Sequence, residues 1–144
     1  MAQRDLHSGK RAGDEMAISD YMHFKYKRDA RGEDGLHIDC WGLVRLIWEN
    51  ELGKPTLPLF SGAITPRMQT RCYSEFPDHG LIECQPKHGA IASCIQSTLC
   101  THVGIVIEID GELRVIDIQN GSPVAIHQIS RFSRKFTKVV FHDY

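Results

Sequence analysis

Apolar positions follow helical spacing in the first half of the chain and strand spacing in the second. Over residues 14–26, Met16, Ile18, Tyr21, Met22 and Phe24 recur as one face of a short amphipathic helix. The charged, glycine-containing stretch KRDARGEDG then reads as a loop. The strongest helix signal is DCWGLVRLIWENELGKP. Asp39 is a good N-cap, Leu43, Val44, Ile47 and Trp48 form the apolar stripe, and Gly53 with Pro55 marks the stop. Gly42 weakens that helix by up to ~1 kcal/mol in an interior, less near its start. Residues 54–63 read as loop, Thr65-Pro66 opens a short helix toward Tyr73, and a turn falls near Pro77 to Gly80.

Beyond that turn the period changes. Residues 89–95 and 102–109 are apolar runs, and Asp110-Gly111 is a hairpin signal answered by residues 113–118. Residues 123–129 and 137–141 read as two further strands. Helices followed by an antiparallel sheet predict one α+β domain across residues 1–144, with 1–13 a flexible N-terminal segment.

Composition narrows the function. The 144 residues are 42% hydrophobic and 24% charged, and 17 Lys and Arg face 18 Asp and Glu for a net charge of -1. A general nucleic-acid binder needs a cationic surplus, so no nucleic-acid partner is expected. No apolar run approaches the roughly 18 residues of a membrane span. The polar opening MAQRDLHSGKRAGDE lacks the apolar core of a secretory signal, so synthesis in the cytosol is expected, with another route needed for any role outside. Cys40, Cys72, Cys84, Cys94 and Cys100 are odd in number and read as reduced thiols.

Three residues carry candidate chemistry. Cys40 follows the N-cap, where unpaired N–H groups and the positive end of the helix dipole favour a thiolate; the other reading is a small buried hydrophobe. His102 opens the strand HVGIVIEI and could serve as base and counter-cation to that thiolate, or be an ordinary half-buried residue. Asp117, counted outward from the hairpin turn, falls within about two residues of His102. It could hold the imidazole's tautomer, or be a strand-edge acid facing water.

The segments DCWGLVRLIWENELG (39–53) and THVGIVIEI (101–109) resemble the nucleophile helix and the histidine strand of the NlpC family of papain-like cell-wall cysteine peptidases. FKYKRDARGEDGLHIDC (24–40) is similar to that family's approach to its cysteine. The resemblance implies a papain-like α+β fold with N-terminal helices packed on the sheet. Cys40 becomes the nucleophile, His102 the general base and acid, and Asp117 the third polar residue, with Gln119 a substitute on the same strand face. Tyr26 matches a tyrosine that assists the oxyanion or substrate. Trp41 stands where phage-tail and gene-transfer-agent members often carry tryptophan, and the run on to LPLFSG is also similar to theirs.

Two extra residues near His37-Ile38, the sequence His88-Gly89-Ala90 in place of a glycine-aspartate step, and an acid at position 117 depart from the family pattern. The activity implied is thiol-dependent hydrolysis of peptidoglycan stem peptides, by family analogy between D-glutamate and diaminopimelate, without a cofactor. The enzyme would be tail-borne and act at the cell wall beside phage tail proteins. A structural tail-tip protein with a degenerate peptidase fold is the alternative.

The remaining candidates have plainer readings. Cys72, His79, Cys84, His88, Cys94 and Cys100 lack the tight pairs of a zinc site. Trp48 reads as core, Trp41 as a cleft wall or packing residue, and His127 as a half-exposed strand residue. Arg131, Arg134, Lys135 and Lys138 form a solvated basic face that could contact an anionic polymer or a partner.

Overall fold

In the computed structural model, which describes residues 17–63 and 65–144, the nucleus of the N-terminal half is helix α1, Cys40–Leu52. Its ends form for the reasons its sequence suggests. The Asp39 side chain accepts from the Gly42 N–H at 2.8 Å, and Gly53 closes the helix in the left-handed region at φ 60°. The stripe Leu43, Val44, Ile47 and Trp48 is fully buried, each large side chain contributing roughly 1.5–3 kcal/mol by leaving water. Gly42 is required by a close approach: a Cβ there would lie 2.7 Å from the Ala30 carbonyl oxygen and 2.9 Å from the Arg31 Cα.

Upstream, strands β1 (Lys25–Tyr26) and β2 (His37–Ile38) pair in parallel. Helix α2, Pro66–Ser74, starts from a Thr65 cap and is followed by a 3₁₀ turn at Phe76–His79. Six strands then form one antiparallel sheet: β3 (Ile82–Cys84), β4 (Ile91–Gln96), β5 (Leu99–Ile109), β6 (Glu112–Asp117), β7 (Ala125–Gln128) and β8 (Lys138–Asp143), in the order β3-β8-β4-β5-β6-β7. The short helix α3, Ile129–Ser133, separates β7 from β8.

The architecture is α+β, with the helices preceding and packing on the sheet. One core cluster joins the α1 stripe to Ile91, Val103, Ile105, Ile107 and Ile116. A second comprises Ala90, Ala92, Cys94, Val106, Val115 and Phe141, closed by Phe132 from α3. Among the described residues no helix is long and apolar enough to cross a membrane.

The helix expected over 14–26 does not form in its described part. Only a 3₁₀ turn at Ile18–Asp20 is present, and the chain is extended by Lys25. Tyr21 and Phe24 are buried as the periodicity requires, but the Lys25 and Lys27 N–H groups donate to the Leu36 and Ile38 carbonyls instead of to a preceding turn. Residues 14–16, and the 1–13 segment, lie outside the described residues. Strand β3 was not expected, because three residues with two exposed carry no periodicity. Helix α3 takes the chain out of the sheet at Ile129, where the sequence suggested continued strand.

Candidate active site

Cys40 owes its position to a polar clamp beneath it. Asp39 caps α1 with one carboxylate oxygen, and Arg31 donates to the other at 2.5 Å. The remaining Arg31 donors reach the Leu59 and Phe60 carbonyls at 3.1 and 3.0 Å, which tie the loop before α2 to the helix start. Burial raises the Asp39 carboxyl, opposed by the Gly42 N–H and Arg31. Gly42 and Leu43 donate to Asp39, so the Cys40 and Trp41 N–H groups of the first turn have no protein partner among the described residues.

His102 is aimed by a β-bulge. Cys94 pairs with His102, but Ile95 pairs with Cys100, which leaves Thr101 as the extra residue. The bulge puts Cys100 on the Val103 face of β5, and both line one cleft with His102. The imidazole is within hydrogen-bonding reach of the Cys40 thiol. Its Nε2–H donates to Asp117 Oδ2 at 2.7 Å, leaving Nδ1 for the sulfur.

Asp117 is 2% exposed, which rules out a strand-edge acid facing water. Its second oxygen accepts from His127 Nε2 at 2.6 Å, and Gln119 Nε2 sits 3.5 Å from the first. The register Ile105↔Ile116 places Asp117 diagonally across from His102 on one sheet face. Gly104 between them makes room, because a Cβ there would lie 2.7 Å from Val115 Cγ1 and 3.4 Å from Asp117 Cβ. Phe132 and Phe136 pack over the His102 ring, and Phe132 over His127 as well.

These contacts set the charges. Burial alone would depress His102, but the hydrogen bonds to Asp117 and Cys40 outweigh it and raise the imidazole to about 9. Burial works in the opposite sense on Asp117, and there His102 and His127 prevail and hold the carboxyl below its ordinary range.

The cleft beside the sulfur is walled by Trp41, Phe60, Tyr73, Phe76 and Val103. Trp41 is both wall and packing residue: it stacks on Phe76 at 5.9 Å and donates Nε1–H to the Pro58 carbonyl at 2.8 Å. Tyr26 lies within electrostatic range of Cys40 and Asp39; burial, reinforced by those two groups, raises its phenol and keeps it a proton donor. The two extra residues near His37 have not carried Tyr26 away, because they form β2 beside it. All five cysteines are free thiols. Among the described residues no group of three or more His, Cys, Asp or Glu side chains is arranged to hold a metal ion.

The sequence alone did not point to four contributors: Arg31 as clamp, Phe60 and Phe76 as walls, and His127 as second partner of Asp117. None had a signal that fixes its place: His127 alternates with apolar neighbours, but the 118–124 connection between β6 and β7 is too long for counting to give its sheet face. Comparison with protein-family profiles, curated proteins and solved structures finds no match to this chain.

Proposed function

We propose that the protein is a thiol hydrolase with papain-like organisation that cleaves amide bonds in peptidoglycan stem peptides. The observation that carries the reading is a helix-start cysteine within reach of an imidazole whose far nitrogen is held by a buried carboxylate. A cation beside the sulfur favours thiolate, and Asp117 fixes the tautomer and stabilises the imidazolium.

In this mechanism the Cys40 sulfur attacks the carbonyl carbon and forms a tetrahedral oxyanion. The Cys40 N–H and the Tyr26 phenol donate to it; losing one such donor typically costs ~10²–10³ in rate. The C–N bond then breaks as His102 gives its proton to the departing amine. His102 next takes a proton from water, hydroxide attacks the thioester, and the acid product leaves with thiolate and imidazolium restored.

The stem-peptide substrate rests on the sequence resemblance of residues 39–53 taken together with 101–109, and delivery on a phage tail rests on the tryptophan at position 41. Purified protein is to be incubated with peptidoglycan sacculi and the released fragments read by mass spectrometry. Release that disappears in Cys40→Ala supports the hydrolase. Absence of release by the wild type, or equal release by both proteins, overturns it and leaves a structural tail-tip role as the better reading.

A further inference from the structure

The basic residues of the C-terminal region have no part in the mechanism, yet two of them border the catalytic network from behind. A surface depression of about 480 Å³ is lined by Arg114, Ile126, His127, Gln128, Arg131 and Lys135. Arg114 is paired with Glu112. Arg131 and Lys135 have no acidic partner among the described residues. Cations gathered in a concavity with a single carboxylate are repelled by one another, and an anion relieves that repulsion. Two guanidinium groups and an ammonium offer many donors, which suits the several oxygens of a phosphate group better than the two of a carboxylate. The volume also leaves room for a group attached to the phosphate.

We propose that this depression binds a phosphate-bearing anion, and that its occupancy is transmitted to the Cys40–His102 pair through His127 and Asp117.

His127 is the link. Its Nε2–H is committed to Asp117 Oδ1 at 2.6 Å, so neutral His127 presents a bare Nδ1, an acceptor that repels an anion. An anion in the depression therefore favours a second proton on the ring. His127 meets the Asp117 carboxylate and the Phe132 ring, with Arg131 and Lys135 lining the same depression and Arg114 reaching it from the opposite sheet face, since it pairs with Gln128 while His127 pairs with Val115. His102 lies beyond Asp117. A cationic His127 draws on the same carboxylate charge that stabilises the His102 imidazolium, so binding weakens the hold on the His102 proton. By linkage, phosphate binds more tightly as the pH falls.

The binding step is independent of the hydrolase reading; the transmission step rests on it. The test is ¹⁵N NMR of the histidine rings in the full chain, titrated with inorganic phosphate at constant ionic strength to exclude screening. We expect a saturable change at His127 and a lower titration midpoint for His102. The exposed double variant Arg131→Glu, Lys135→Glu should weaken binding about tenfold or more. No saturable change, or one untouched by the charge reversal, overturns the site. Saturable binding with an unmoved His102 midpoint overturns the transmission. Co-sedimentation with phosphatidylglycerol vesicles separates the sources: vesicle binding lost on charge reversal supports a lipid headgroup, and binding of inorganic phosphate alone supports a free or polymer-borne phosphate. Loss of sacculus digestion with intact phosphate binding would instead refute the hydrolase reading alone.

Discussion

Cys40 differs in kind from the other four thiols. Burial raises Cys72 and Cys84, pushes Cys100 up to about 12, and raises Cys94 furthest. Cys40 alone has an imidazole partner. Iodoacetamide at about pH 6 should therefore alkylate Cys40 far faster than the rest, and His102→Ala should slow that reaction. Equal rates at all five cysteines, read by peptide mass spectrometry, would refute the activated pair. In turnover, His102→Ala should cost on the order of 10²–10⁴. Asp117→Asn should cost less, because Nδ1 and the sulfur remain, and His127→Gln less still, because it acts only through Asp117. An Asp117→Asn rate equal to wild type would remove the orienting role. The nearness of Cys40, His102 and Asp117 was legible from a cap, a strand mouth and a hairpin count. His127 was not singled out, since its importance arises from a buried carboxylate having two oxygens to satisfy.

Two glycines show how elements meet. Ala at position 42 would gain helix propensity, at most ~1 kcal/mol and less in a first turn. The added Cβ meets backbone at Ala30 and Arg31, which cannot swing aside as a side-chain tip can. Overpacking of that kind costs about 1–3 kcal/mol, so Gly42→Ala should lower stability in chemical denaturation. Gly104→Ala presses on Val115 and on the Ile116 carbonyl next to Asp117, and should separate two readouts: a comparable loss of stability, and a turnover loss no larger than that of Asp117→Asn. Normal turnover in that variant would mean that β6 tolerates the shift and Asp117 stays in place. Element type was readable wherever many residues shared a period, as in α1, the β5–β6 hairpin and the helix after Thr65. It was unreadable where tertiary hydrogen bonds decided, as at Tyr21 to Lys25, and where single residues decided, as at the bulge that aims His102.

For the molecule as a whole, the same network ties stability to pH. The last strand is anchored by Asp143, which binds Lys54 at 2.7 Å and Lys87 at 3.2 Å, while Lys54 lies over the Trp48 ring. Burial raises Asp143, but the Lys54 bond leads the groups that hold it below its ordinary range, as His102 and His127 do for Asp117. Both carboxylates stabilise the fold above the ordinary carboxylate range, and their contribution is lost as pH falls through the lowered folded values. His102 has the opposite sign. Its proton is held more tightly folded than unfolded, so its contribution is complete below about 6.5, the ordinary histidine value, and is lost as pH rises through about 9. Between those limits His102 holds a proton that the unfolded chain has released, so its contribution to stability declines with rising pH, whereas His142, which burial lowers, contributes in full only above about 6.5. The melting temperature should therefore fall between about pH 7 and pH 9. His102→Gln should flatten that decline. Cys40→Ala, which removes one of the two partners and leaves Asp117, should reduce it without abolishing it. A wild-type melting temperature constant across this interval, or an unchanged slope in His102→Gln, would show that the imidazole in the folded protein is not held in its charged form by the groups around it.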